Sequence, residues 1–240
     1  IRIFSALSFL MCFFHLVQAH DFTRDTISFL SLGDSYTIGA SVDSTASWPV
    51  QLIDSLRKKD KVIDALKIRA MTGWTSANLL GSLANDPIRG QYQYVALLIG
   101  VNNFYQGLPE VLYISEFKQL LDSAVHYCSQ DKKGVFAVSI PDYGYTPFGW
   151  SGRMGIGERT DRYNQIADSI CFANQVEFIH ITDISRQWEP ESDLVALDGL
   201  HPSGKQYALW VNRILENNSE VISFENSPQA LSSDAMLVQR

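Results

Sequence analysis

Short apolar runs alternate along the chain with longer stretches whose apolar positions recur at helical spacing. Residues 27–32 form an uninterrupted run, Ile27-Ser28-Phe29-Leu30-Ser31-Leu32, that stops at Gly33. Comparable runs are "LKIRAM" at 66–71, the stretch 93–99 within "YQYVALLIGVNN", 134–140 within "KGVFAVSIPD", and "VEFIHIT" at 176–182. Runs of this length without polar alternation predict strands buried on both faces. Between them, "SWPVQLIDSLRKK" (47–59) predicts an amphipathic helix with Ser47 as cap and Pro49 in its first turn. "TSANLLGSLAND" predicts a short helix capped by Thr75 or Ser76. Residues 110–129 place Val111, Ile114, Phe117, Leu120, Leu121 and Val125 on a 3.6-residue period. Further helices are expected over 158–173 and over "PSGKQYALWVNRILENN", with Pro202 in the first turn of the latter. The Gly- and aromatic-rich "YGYTPFGWSGRMGIG" (143–157) is expected to be loop.

Five buried strands separated by helices imply an α/β fold, a parallel sheet covered on both faces with right-handed crossovers. In such open sheets ligands bind beyond the carboxyl ends of the strands. A chain of 240 residues suits one domain, and 46% hydrophobic with 19% charged residues suits a packed core over most of it. The net charge of -7 gives no reason to expect nucleic acid as partner.

The amino-terminal segment stands apart. Arg2 precedes an apolar stretch from Ile3 to Val17 that ends at Val17-Gln18-Ala19. This is the pattern of a secretory signal peptide cleaved after Ala19, with export to the periplasm or medium as the expectation. The stretch is short of the roughly 20 residues a spanning helix needs, and it contains His15, so no stable membrane anchor is expected after cleavage. The expected organisation is therefore a leader at 1–19, one folded domain at 20–217 and a Ser-rich tail at 218–240. Cys128 and Cys171 remain in the mature chain, as a pair or as two buried thiols; no Cys/His cluster suggests a metal.

The polar residues that interrupt this pattern sit at strand ends. They are Gly33-Asp34-Ser35, Thr72-Gly73-Trp74, Gly100-Val101-Asn102-Asn103 and Asp198-Gly199-Leu200-His201-Pro202. A parallel sheet brings all four to one edge. Ester cleavage needs a hydroxyl nucleophile, a base for its proton and a group to orient the base. Ser35 supplies the first and His201 the second. Asp198, three residues before His201, can hold the imidazole in one tautomer. The backbone N–H groups of Ser35 and Gly73, with the side-chain amide of Asn102, would make a three-donor oxyanion hole.

These four segments, "GDSYT", Gly73, "GVNN" and "DGLHPS", resemble the blocks of the SGNH (GDSL-type) hydrolases, in the family's order and spanning 27 to about 215. The resemblance implies a flavodoxin-like three-layer α/β/α sandwich with a five-stranded parallel sheet. It also implies a serine esterase that works through an acyl-enzyme, with Ser35 as nucleophile, Asp198 and His201 completing the triad, and Gly73 and Asn102 as oxyanion donors. No cofactor is implied. Lipid, lysophospholipid, thioester and acetylated-sugar substrates all occur in that family. One position departs: the third block usually reads Gly-x-Asn-Asp, and Asn103 stands last here. An Asp-to-Asn change keeps the shape and adds a donor, so hydrogen bonding near the hole should differ. G-x-S-x-G is lacking, so the nucleophile elbow of α/β-hydrolases is not supported.

Each of these residues has a plainer reading. Ser35 could be a turn serine, Asn102 a turn former and Asp198 a cap of the last helix; Asp34 is expected to brace the turn. Asp183 is a rival orienting acid without the three-residue spacing. His126, late in its helix, is expected to complement the dipole, and His180 to be packed within a strand. Tyr36, Trp74, Phe104, Phe148 and Trp150 are candidate pocket residues, with Tyr105 beside them; Tyr143, Tyr145, Phe148 and Trp150 could instead form a satellite core. "GRMGIG" (152–157) does not directly follow a strand and is not a dinucleotide loop. A non-catalytic binding module, for instance for carbohydrate, would explain the aromatics but leaves Ser35 with His201 as coincidence. A nucleotide-binding domain lacks a phosphate loop.

Overall fold

Every residue of the third strand, Tyr94–Leu98, is buried, and so are the last five of the first, Thr26–Gly33. That is the burial a continuous apolar run requires. The computed structural model describes residues 26–59, 61–189 and 193–217. The strands are β1 (Thr26–Gly33), β2 (Val62–Ala70), β3 (Tyr94–Leu98), β4 (Val135–Val138) and β5 (Glu177–Ile179). They form one sheet in the order β2-β1-β3-β4-β5, each neighbouring pair parallel. The helices are α1 (Ser35–Ile38), α2 (Trp48–Arg57), α3 (Ser76–Asn85), α4 (Val101–Tyr105), α5 (Glu110–Tyr127), α6 (Arg153–Asn174), α7 (Thr182–Ser185) and α8 (Gly204–Asn217). α2 packs against α8, while α3, α5 and α6 make a second row. The result is the expected α/β fold, a five-stranded parallel sheet flanked by helices.

Aromatic side chains carry much of the core. The Phe29 ring meets Trp48 of α2 edge-on at 6.5 Å and tilts against Phe136 of β4 at 6.0 Å. Tyr113, Phe117 and Tyr163 join α5 to α6. Burying one such side chain contributes roughly 1.5–3 kcal/mol, so the sheet is held from several directions at once.

The chain runs from β1 outward to β2, then returns past β1 to β3 on its other side. The carboxyl ends of β1 and β3 therefore flank the point where strand order reverses, where a crevice opens in folds of this kind.

Several element boundaries differ from those read in sequence. β2 begins at Val62 rather than 66, because an edge strand that is only half buried carries Asp64, Lys67 and Arg69 among its apolar residues. α6 begins at Arg153, so most of "GRMGIG" is helix rather than loop. Ile156 is buried from its first turns, and its glycines sit where the helix passes the Asp142 carboxylate and open space. Pro202 lies before α8, bridged to Val195, and the helix starts at Gly204. β5 ends at Ile179, which leaves His180 beyond the strand with 61% of its side chain exposed, not packed. His126 does occupy the last turn of α5. Cys128 and Cys171 are two separate buried thiols, both pushed up by burial, Cys171 to about 12. The expected leader at 1–19 and tail at 218–240 lie outside the described residues. Among the described residues no helix is long and apolar enough to cross a membrane.

Candidate active site

β1 ends on glycine because nothing larger fits. A Cβ on Gly33 would collide with the Thr37 hydroxyl and the Leu98 carbonyl. Asp34 then caps α1, its Oδ1 accepting the Tyr36 N–H at 3.0 Å. Ser35 is the first residue of that single turn, so its N–H has no acceptor within the helix. Gly39, with φ of 74°, closes the turn, and the Ala40 N–H returns to the Ser35 carbonyl at 3.0 Å. Asp34 is fully buried, and its Oδ2 finds no partner among the described residues. Burial pushes this carboxyl up to about 7, against the opposing pull of the Tyr36 N–H.

At the end of β2, Gly73 has φ of +80°, a conformation that favours glycine, and the space a Cβ would occupy is open. Asn102, in α4 after β3, donates from Nδ2 to the Trp74 carbonyl at 3.0 Å. Gln106 donates to the Gly73 carbonyl at 3.2 Å. The segment after β3 thus holds the turn after β2. Asn103 is buried and ties the same two segments together: its Oδ1 accepts the Ser76 N–H at 3.0 Å and its Nδ2 donates to the Ser76 hydroxyl at 2.6 Å. The Ser76 hydroxyl donates in turn to Glu116 of α5. The added amide donor at this position is therefore used.

The fourth segment folds as a turn around Asp198. Its Oδ1 accepts the N–H groups of Leu200 and His201, each at 3.0 Å. Its Oδ2 lies 2.5 Å from His201 Nδ1 and accepts the Ser41 hydroxyl at 2.7 Å. Partial burial alone would raise this carboxyl; the hydrogen bonds from His201, Ser41 and the two backbone groups outweigh it and hold Asp198 well below the usual carboxylate range. Asp183, the rival acid, is occupied by Arg213 at 2.9 Å. Nor does Asp198 cap α8, whose first turn is served by the Ser203 hydroxyl accepting from Gln206 at 3.2 Å.

These segments meet in one cleft of about 310 Å³. Ser35, Tyr36, Gly73, Asn102 and His201 all line it, together with Thr72, Val101, Tyr105, Tyr143, Phe148 and Leu200. The Tyr36 ring meets the His201 ring edge-on at 5.7 Å. The Ser35 hydroxyl makes no hydrogen bond among the described residues and shares the cleft with the imidazole. Of the five pocket candidates, Tyr36 and Phe148 line the cleft. Trp74, Phe104 and Trp150 do not: Trp74 packs partly buried against the core, and Phe104 is buried, stacked on Tyr143 at 5.8 Å. Trp150 faces away, against Trp188 at 5.8 Å and under the Arg153 guanidinium at 4.4 Å. Sequence reasoning missed Val101 and Leu200, whose only signal was adjacency to the glycine-marked blocks, and Ser41, which had none. Among the described residues no cluster of His, Cys, Asp or Glu is placed to hold a metal ion.

At its reversal point the parallel sheet gathers a serine, an imidazole–carboxylate pair and an asparagine amide around one cleft. The sequence profile of the GDSL-like lipase/acylhydrolase family matches residues 31–209, and the chain belongs to that family, as a carboxylic ester hydrolase. No curated protein matches it in sequence. Among solved structures it is similar to the psychrotrophic esterase EstA from Pseudoalteromonas sp., at 18% identity and a TM-score of 0.59, over 82% of this chain and 98% of that one. It is likewise similar to a family 3 carbohydrate esterase from Clostridium thermocellum, at 19% identity and 0.63, over 82% and 96%. A third is Axe2, an acetylxylan esterase from Geobacillus stearothermophilus, at 16% identity and 0.62, over 79% and 93%. These likenesses establish the shared fold.

Proposed function

We propose that the protein is an exported serine esterase that cleaves carboxylic esters through an acyl-enzyme on Ser35. His201 Nε2 takes the Ser35 proton as Oγ attacks the ester carbonyl. Asp198 keeps the other ring nitrogen protonated and stabilises the imidazolium that forms. The oxyanion is met by the N–H groups of Ser35 and Gly73 and by Asn102 Nδ2, which carries two hydrogens and spends only one on the Trp74 carbonyl. His201 returns the proton to the departing alcohol. Water, activated by the same imidazole, then releases the acid. The Ser35–His201 hydrogen bond this needs is not formed in the resting geometry; such bonds commonly tighten once substrate is in place.

The observation that carries the reading is the Asp198–His201 pair opening onto the same cleft as Ser35. The cleft wall supports a hydrophobic acyl group, since Val101, Tyr105, Tyr143, Phe148 and Leu200 supply most of it. Esters of apolar acyl groups suit such a wall, with an acetylated sugar as the other candidate substrate. Export rests on the apolar segment before Ala19 alone.

The test is labelling with a serine-directed fluorophosphonate alongside an ester panel from acetyl to long-chain acyl groups, acetylated sugars included. Labelling that vanishes in Ser35→Ala, with turnover on the panel, is the expected result. No labelling and no turnover would point to a binding module on the same scaffold.

A further inference from the structure

Asp198 is more exposed than the imidazole it faces, with 31% of its side chain exposed against 12% for His201. A carboxylate so placed can rotate and take up water, so something must fix its plane. The Leu200 and His201 N–H groups hold Oδ1. That leaves Oδ2, the oxygen that faces the imidazole, and among the described residues Ser41 is the only other side chain that grips it.

Ser41 comes from the far end of the chain, 157 residues from Asp198 and six beyond Ser35. It follows the Gly39 turn that ends α1 and has φ of +66°, a region serine rarely adopts. The backbone twist that closes the nucleophile's helix is what aims this hydroxyl at the acid. One hydrogen bond thereby joins the first block to the fourth.

We propose that Ser41 is a positioning residue for the esterase reaction, fixing Asp198 and withdrawing charge from the oxygen that faces His201. This rests on the triad assigned above. The carboxylate's four acceptor sites are then filled by four donors. Ser41 touches neither substrate nor the reacting atoms; it acts through the acid. Without its hydroxyl, more negative charge remains for the imidazolium, which is then favoured. The titratable groups facing the imidazole or its acid are Asp198 on its own loop, Asp34 and Tyr36 on the nucleophile turn, Tyr105 after β3, Tyr143 after β4 and Tyr207 on α8. Of these, Asp198 is the group hydrogen-bonded to Ser41, so a Ser41 variant acts on the imidazole through it.

Two variants separate the hydroxyl from the backbone. Ser41→Gly relieves the positive φ while removing the hydroxyl; Ser41→Ala removes the hydroxyl and keeps the strain. The expectation is that both lower kcat on a short p-nitrophenyl ester about five- to tenfold, the scale of one charge-assisted hydrogen bond at a partly exposed carboxylate. KM stays within twofold. In both, the acid limb of the kcat/KM profile moves to higher pH. Wild-type kcat and acid limb in both variants would overturn the proposal. So would a fall in kcat that follows the thermal midpoint with the acid limb unmoved, since a purely structural contact behaves that way. His201→Ala is measured in parallel. If it is inactive while the Ser41 variants behave as wild type, only the role of Ser41 falls. If His201→Ala still turns over, the triad falls and this inference with it.

Discussion

Asn103 grips Ser76 at two points, accepting its backbone N–H at 3.0 Å and donating to its hydroxyl at 2.6 Å. The hydroxyl's own hydrogen goes to Glu116, and Asn103 Nδ2 lies 3.5 Å from the same carboxylate. The four groups form a part-buried relay in which every donor has an acceptor. It pins α3 and α4 to α5 directly beneath Gly73 and Asn102. The position where this chain departs from the usual Gly-x-Asn-Asp is therefore a structural joint.

Replacing Asn103 by the more usual residue breaks that joint. In N103D the oxygen in place of Nδ2 faces a hydroxyl whose hydrogen is already committed, with a second carboxylate close behind. The expected cost is about 1–3 kcal/mol, seen as a thermal midpoint lowered by roughly 3–10 °C at pH 8. An unchanged midpoint would mean that the relay holds nothing.

Asp198→Asn tests the triad without dismantling its turn. The Asn Oδ1 can still accept from Leu200 and His201, so the loop survives. The amide nitrogen then confronts His201 Nδ1 and the Ser41 hydroxyl, both of which donate. The ring is driven to the tautomer protonated on Nε2, which cannot take the Ser35 proton. A fall in kcat of about 10³ or more is expected, with KM nearly unchanged and the thermal midpoint within a few degrees. Activity within tenfold of wild type would remove Asp198 from the mechanism.

How far the chain declared itself in advance follows from where each signal lives. Strands buried on both faces must be apolar throughout, so β1, β3 and β4 stand out; β2, an edge strand with Asp64, Lys67 and Arg69, shows only its second half. The site was readable because its residues sit in short glycine-marked blocks at strand ends. α1 and α4 were not, since a single turn is too short to show a period. α6 hid its first turn behind Gly155 and Gly157, residues that ordinarily argue for loop. Which aromatics line the cleft depends on packing that no local pattern encodes. Phe104 and Tyr105 are neighbours in sequence, yet one is buried in the core and the other is more than half exposed at the cleft. The Ser41–Asp198 bond is the extreme case, invisible until both ends of the chain meet.

Phe148 and Trp150 should separate in the same way. Both are about half exposed, but only Phe148 lines the cleft. Phe148→Ala is expected to lower kcat/KM for a p-nitrophenyl octanoate about five- to tenfold, the scale of part of one aromatic ring lost from an apolar wall. The acetate should stay within twofold. Trp150→Ala should leave both substrates near wild type. Equal losses on acetate and octanoate in Phe148→Ala would place that ring outside acyl recognition.

The last prediction concerns Asp34, a carboxyl directly behind the nucleophile whose buried Oδ2 has no partner among the described residues. Its folded value is raised by burial to about 7 from an ordinary 3.8. The folded protein therefore holds this proton more tightly than the unfolded chain does. The contribution is fully present below about pH 4 and is lost as pH rises towards 7; above that both states are ionised and the loss levels off. Its full size is on the order of 4 kcal/mol. Other carboxylates, Asp198 among them, shift in the opposite direction and mask part of it, so the clean measurement is a difference. Asp34→Asn keeps the cap to the Tyr36 N–H and stays neutral at every pH. Chemical denaturation of the two proteins should give similar stabilities near about pH 3.5, with the variant pulling ahead as pH climbs to 8. A difference that stays constant across that range would show that Asp34 is not held protonated by its burial.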